Sequence, residues 1–405
     1  MRIAIVADSF PPLKNSAAVL VFSLAEALAA LENEVLVITP SQDLHRPSLV
    51  DDFGVFKVLR LQCGQIKSQN KLMRGIQELS LFFTLQRAFR NSAYQHFSAD
   101  LIIWYSPSIF FGGLVRSLKR VGSKSYLILR DIVPQWLLDV GVMKKGLSYH
   151  LMKWFELNQY RQADFIGVQS PGNRGYIESL SLPNLKKLQV LPNWMPSVST
   201  QFGAASIESS HTSLEKTILA GKKVLIYAGN LGEAQGVENL AKFIYRLQHT
   251  AQVGFLIIGR GSKKAWLQNF VQSNALTNVL ILDEVDLVTL SLYYRQSTAG
   301  LVFLDLNHQS HNIPGKFISY LEAGLPVVAC VNPTNDLVGI VKHAQLGLVE
   351  SNPVQLADRL VSFLDELPSK NIGRLARSYY DANYQPKSIA QQILNTANIS
   401  NKSAH

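Results

Sequence analysis

KVLIYAGNLGEAQGVENL, residues 223–240, runs from a short apolar stretch through a glycine-rich turn into the start of a helix. The apolar stretch has no polar alternation, so it reads as a strand buried on both faces, the kind found in parallel sheets covered by helices. The unit then recurs. FLIIGRG (255–261), VLILDE (279–284), AGLVFLD (299–305) and PVVAC (326–330) read as further strands, with helices at 236–249, 263–274 and 287–297 and one opening in HNIPGKFISYLEAGL (311–325). The same pattern occupies the first half: RIAIVA (2–7), a helix at 18–31, EVLVIT (34–39), helical spacing over 71–97, LIIWYS (101–106), SYLILR (125–130), DFIGVQS (164–170) and LQVLPN (188–193). Strand–helix alternation on this scale predicts an α/β protein with doubly wound sheets.

A chain of 405 residues is too long for one ordinary core, and the alternation pauses in a Ser/Thr/Pro-rich stretch. The expected layout is one Rossmann-like domain over 1–195, a linker over 196–216, a second Rossmann-like domain over 217–384 and a C-terminal helix over 385–405 that can pack back on the first domain. Two such domains facing across a cleft would present the carboxyl ends of their strands to a ligand.

Two cysteines, Cys63 and Cys330, make no disulfide framework and suit a reducing compartment. The N-terminal MRIAIVADSF reads as a first strand rather than a secretory leader. The run LIIWYSPSIFFGGLV (101–115) is broken by Pro107 and Gly112-Gly113 and falls short of the roughly 20 residues that span a bilayer. The net charge of +10 is concentrated: residues 60–98 hold six Lys/Arg against one Glu, and 116–161 hold nine against three Asp/Glu. Clustered basic charge points to an anionic partner such as a membrane surface, and no nucleic-acid motif accompanies it. A solvated basic face is the alternative.

Six loops follow predicted strands and carry chemistry-bearing side chains. In YAGNLGEAQG (227–236), Gly229 and Gly232 let backbone N–H groups approach an anion, and Asn230 and Gln235 add neutral donors. IIGRGSKK (257–264) sets Arg260 in a Gly-x-Gly turn within reach of a phosphate. In LDEVDLVTL (282–290), Glu284 and Val285 end a strand where a nucleobase edge can be read, and Asp286 can cap the next helix. Asn312, Gly315 and Lys316 mark a helix N-terminus suited to anions, while Glu322, six residues on and off the face of Lys316, needs a partner if buried. LRDIVPQW (129–136) places Arg130 and Asp131 at a strand end, with Asp131 a candidate acid/base; DSFPPLKNSAAV (8–19) leads through Asn15 and Ser16 into a helix. Caps, turns and internal partners are the alternative readings of these residues. His308 and His311 lack the spacing of metal ligands.

These stretches together resemble glycosyltransferase family 4, of GT-B fold, and within it the bacterial O-antigen and capsule N-acetyl-L-fucosamine transferases. DSFPPLKNSAAVLVFSLAEAL, LPNWMP (191–196), YAGNLGEAQGVENL, IIGRGS and IPGKFISYLEAGLPVVA carry the family likeness, and LRDIVPQWLLDVGVMKKG and IGVQSPGN the narrower one. The resemblance implies a UDP-sugar donor bound by the second domain, an undecaprenyl-diphosphate-linked acceptor met by the first, and an enzyme working without a cofactor or a metal at the cytoplasmic face of the plasma membrane. It implies Asp131 and Lys316 as catalytic residues. It puts Gly229, Asn230, Gly232, Gln235, Arg260, Asn312, Gly315 and Lys316 on the donor diphosphate, Glu284 and Val285 near the base, Glu322 on the ribose, and Asn15, Ser16 and Arg130 on the acceptor side. Three features depart from the pattern. Pro314 stands where a first glutamate is usual, Asn230 and Gln235 where Arg and Lys are usual, and Asn15 and Ser16 where paired glycines are usual. The donor sugar is expected to be N-acetyl-fucosamine or a related N-acetylhexosamine. A UDP-sugar 2-epimerase and a nucleotide-binding membrane adaptor without activity are the alternatives on the same scaffold.

Overall fold

The structure, a computed structural model, describes residues 1–397 except 14, 43, 65–82, 107, 140–142, 184, 198–212 and 308–312. The chain forms two compact units, Met1–Pro192 with Pro386–His405, and Asn193–Gln385. The division precedes the expected linker: Ser197, placed in that linker by sequence, is buried and bonded inside the second unit.

In the first unit the strands are β1 (Arg2–Val6), β2 (Glu34–Ser41), β3 (Ser48–Asp52), β4 (Lys57–Gln62), β5 (Leu101–Tyr105), β6 (Lys124–Leu129), β7 (Phe165–Val168) and β8 (Lys187–Val190). They form one sheet in the order β3-β4-β2-β1-β5-β6-β7-β8, parallel except for the antiparallel edge pair β3–β4. That edge pair is missing from the sequence expectation. SLVDD is a half-exposed edge strand with two carboxylates, so it carries no apolar run, and Asp51 is held by Arg60 of β4. Of the helix expected over 71–97, residues 83–90 are helical and 71–82 lie outside the described residues. The helix Pro386–Thr396 packs on the helix Ser16–Ala29, and Gln392 donates to the Val190 carbonyl at 2.7 Å.

The second unit holds β9 (Lys223–Ala228), β10 (Val253–Ile258), β11 (Val279–Leu282), β12 (Ala299–Phe303), β13 (Val327–Cys330) and β14 (Gly347–Glu350), all parallel, in the order β11-β10-β9-β12-β13-β14. Two closing helices, Pro353–Lys370 and Ile372–Asn383, complete it. In each sheet the winding direction reverses once, between β1 and β5 and between β9 and β12. The crevice beyond the carboxyl ends of those strands is where doubly wound sheets bind ligands.

Candidate functional site

At the β9/β12 reversal the second unit gathers most of the residues expected on the donor. Lys316 lies in the first turn of the helix Gly315–Glu322, which follows β12. Its side chain reaches across to β9: Nζ sits 3.7 Å from the centre of the Tyr227 ring and donates to Gln235 Oε1 at 2.9 Å. A Cβ on Gly229 would lie 3.6 Å from Lys316 Cε, so the exposed Gly229 backbone borders the ammonium directly. Tyr227 is fixed in turn, its hydroxyl donating to the Asn230 carbonyl at 2.7 Å. Burial lowers the Lys316 pKa from 10.5 to about 7. The helix behind it starts at Pro314 with no side-chain cap, so its first N–H groups have no side-chain competitor for an anion.

The Gly-x-Gly turn has a packing task. Gly259, at φ +153°, is so close to the first loop that a Cβ would stand 1.9 Å from the Gly229 carbonyl oxygen; a Cβ on Gly261, at φ +151°, would stand 2.4 Å from the Leu231 carbonyl carbon. Only glycine lets the two loops touch.

Other expected donor contacts are engaged elsewhere. Arg260 pairs with Glu284 at 3.1 Å, with both side chains largely exposed. The sequence expectation sends one to phosphate and the other to a base, and the structure joins them to each other. Asp286 caps the next helix, accepting from the Thr289 N–H at 2.9 Å, and Val285 packs partly buried against the core. Glu322 faces away from Lys316. Its Oε1 accepts from Ser197 Oγ at 2.6 Å and lies 3.3 Å from an Arg377 guanidinium nitrogen, which also donates to the Glu322 carbonyl at 2.7 Å. The carboxylate in this apolar helix therefore has internal partners, at the position that the resemblance puts on the ribose. Gly232 borders the Asn230 side chain, Gly315 is open to solvent, and Asn312 lies outside the described residues.

The first unit has a second cluster, at the ends of β1, β5 and β6. Arg130 is 5% exposed and donates to the carbonyls of Leu191 at 2.6 Å and Pro192 at 3.3 Å, stacking 5.8 Å from the Tyr105 ring centre. Its guanidinium is buried and engaged by these carbonyls, at the position that the resemblance puts on the acceptor side. Asn15 is likewise a helix cap, accepting from the Ala18 N–H at 2.8 Å, and Ser16 is the exposed first residue of that helix. Asp131 is exposed at the surface, yet desolvation of its carboxyl beside the neighbouring loops raises its pKa against the pull of Arg130. Beside this cluster stands Asp8, which the sequence reading leaves out. Its Oδ1 is buried with no hydrogen-bond partner, and burial raises its pKa. Asp8 follows β1 at the point of reversal, which is the positional signal that could have found it. Tyr227, Ser197 and Arg377 carry no such signal, because their relevance comes from side-chain contacts between distant segments.

Comparison with known proteins bears on the fold and on the class of enzyme. Residues 222–366 match the family model described as Glycosyl transferases group 1. Over 98% of this chain and 99% of the relative, the sequence is 22% identical to the "Putative colanic acid biosynthesis glycosyl transferase WcaI" of Escherichia coli (strain K12). Among solved structures, the E. coli trehalose-6-phosphate protein bound with UDP-2-fluoro glucose superposes with a TM-score of 0.67 at 13% identity, covering 98% of both chains. WaaG, a glycosyltransferase involved in lipopolysaccharide biosynthesis, gives 0.62 at 15% identity, covering 96% of this chain and 99% of its own. The fold is GT-B, and the group 1 match within the second unit supports a glycosyltransferase.

Proposed function

We propose that the chain transfers a sugar from a UDP-linked donor to a saccharide carried on a lipid diphosphate, in the assembly of a bacterial surface polysaccharide. The observation that carries this reading is the Lys316 pocket: a lysine held against Tyr227 and Gln235, beside the Gly229 backbone and an uncapped helix N-terminus, at the reversal of a sheet that matches a glycosyltransferase model. A pyrophosphate leaving group gathers negative charge as the glycosidic bond breaks. A preorganised lysine and backbone N–H groups stabilise that charge as it develops. The two cations usual near this loop are Asn230 and Gln235 here, which leaves the charge at this loop to Lys316, whose protonated form a bound diphosphate favours. In the first unit, Asp8 and Asp131 supply carboxylates to orient the attacking acceptor hydroxyl. The full-length E. coli relative, named for colanic acid biosynthesis, supports the polysaccharide setting, and the neighbour bound with UDP-2-fluoro glucose supports a UDP donor. N-acetyl-fucosamine, or a related N-acetylhexosamine, is the sugar that the narrower resemblance favours.

The test is a screen of UDP-sugars with a lipid-diphosphate acceptor, following UDP release. Release that depends on acceptor is expected. Release without acceptor, with interconversion of the sugar, would favour the epimerase, and UDP binding without turnover under any condition would favour the adaptor. Lys316→Ala is expected to lower turnover at least about tenfold, the order of one lost electrostatic contact to the leaving group.

A further inference from the structure

Residues 265–282 hold no Lys, Arg, His, Asp or Glu, in a chain of net charge +10. The stretch is not buried core. On the helix Lys264–Ser273 of the second unit, Trp266, Gln268, Asn269, Gln272 and Ser273 are all exposed. Trp266 is 40% exposed, and Tyr245 of the adjoining helix Val237–Arg246 is 45% exposed. The two rings share one support. The indole stacks on Phe270 with centroids 5.7 Å apart and planes 23° from parallel, and Tyr245 meets the same Phe270 ring at 6.2 Å and 71°. Phe270 therefore braces an aromatic pad that is open to solvent.

At 3.6 residues per turn Trp266, Asn269 and Ser273 fall within about 60° of one another, so an amide and a hydroxyl stand beside the pad. Among the described residues, the side chains of Gln268, Asn269, Gln272 and Ser273 make no hydrogen bond. On the other flank of the helix a groove of about 420 Å³ is lined by Gln268, Val271, Gln272, Leu276, Thr277 and Ile281. Charge at the margin is largely engaged: Lys263 pairs with Glu233 and Glu238, Lys264 with Asp283, and Arg246 with Asp358, while Lys242 stands one turn before Tyr245.

The chemistry of this surface narrows its occupant. Nucleic acid and anionic lipid are met by fields of cations, which the stretch lacks. A neutral saccharide matches what is present: C–H faces on its rings pack on an aromatic plane, and its hydroxyls both donate and accept, as amide side chains do. We infer that the helix Lys264–Ser273 and Tyr245 form a binding surface for neutral oligosaccharide, with one sugar ring stacked on Trp266, Asn269 and Ser273 bonding its hydroxyls, and Gln268 and Gln272 meeting further sugars across the helix. That the natural ligand is a segment of polysaccharide under assembly rests on the proposed function. The surface itself is testable without donor or acceptor.

The experiment titrates the full chain, by calorimetry and saturation-transfer NMR, with the hexasaccharides of β-1,4-linked N-acetylglucosamine and of β-1,4-linked glucose. At least one is expected to bind, with little dependence on salt and without displacement by saturating UDP. Trp266→Ala should weaken that binding at least about fivefold, and Trp266→Phe should keep most of it. Asn269→Ala should weaken it at least about twofold. All three variants should keep the wild-type thermal midpoint and UDP affinity. Wild-type protein that binds neither hexasaccharide, or Trp266→Ala that binds like wild type, overturns the inference. So does displacement by UDP, which would put the saccharide in the donor pocket. Trp266→Ala that loses self-association in ultracentrifugation while keeping saccharide binding overturns it too, since the pad then belongs to a second copy. Absence of sugar transfer from every UDP-sugar counts against the proposed function and leaves the binding result standing.

Discussion

Lys316 has its ammonium between an aromatic face and an amide oxygen, a setting that holds a cation while shedding its water. Burial lowers its pKa from 10.5 to about 7, so the unfolded chain binds this proton more tightly than the folded one. Stability must therefore rise with pH between about 7 and 10.5, as the buried charge is relieved. Lys316→Met should be more stable than wild type at neutral pH, with the gap closing toward pH 10 in thermal melts. A bound diphosphate favours the protonated form, so UDP binding near pH 8 should take up a proton, read as a buffer-dependent enthalpy in calorimetry. Asp8 shows the same conflict in the opposite sense. Its raised pKa means that the folded state binds the proton more tightly, and stability is lost as pH rises from 3.8 through the raised value. Asp8→Asn should thus melt higher than wild type at pH 7, with the difference shrinking below pH 4, while transfer activity falls. A variant that is neither stabilised nor less active would remove Asp8 from the site. Glu322→Ala strips partners from Ser197 and Arg377 and should cost about 1–3 kcal/mol in denaturant titrations. Unchanged UDP affinity in that variant would make Glu322 purely structural.

At the scale of elements, the two loops after β9 and β10 act as one body because Gly259 and Gly261 admit no side chain. Gly259→Ala would drive a methyl into the Gly229 carbonyl, in a backbone region that side chains rarely adopt. Chemical denaturation should show a loss of at least about 2 kcal/mol, and UDP affinity should fall with it, because displacing Gly229 disturbs the border of the Lys316 pocket. An alanine variant of wild-type stability would mean that the loops part without cost. The Gly-x-Gly pattern was visible in sequence, but as a phosphate motif. Its packing role depends on a neighbour about thirty residues away, which no local pattern reports. Arg260 and Glu284 teach the same lesson: both were legible as loop residues after strands, and their pairing was not.

At the scale of the whole molecule, the chain leaves the first unit at Pro192 and returns to it at Pro386. Truncation after Gln385 should remove the helix from its seat on Ser16–Ala29 and speed amide exchange in the first unit, with exchange in Asn193–Gln385 unaffected. Equal protection in the truncated chain would show the helix to be dispensable. By itself the sequence determined the α/β class, two doubly wound sheets and the loops at their carboxyl ends. Apolar runs with turn residues between them are local, and buried parallel strands must be written that way. It also determined where Lys316 sits along the chain. Only the tertiary structure decided what Lys316 touches, that Glu322 turns to Ser197 and Arg377, that Arg130 is an internal cation, and that one Asp8 oxygen is buried without a hydrogen-bond partner. Those outcomes depend on which side chains meet across strands and loops far apart in sequence, and hydrogen bonding and burial are settled only when each unit has folded.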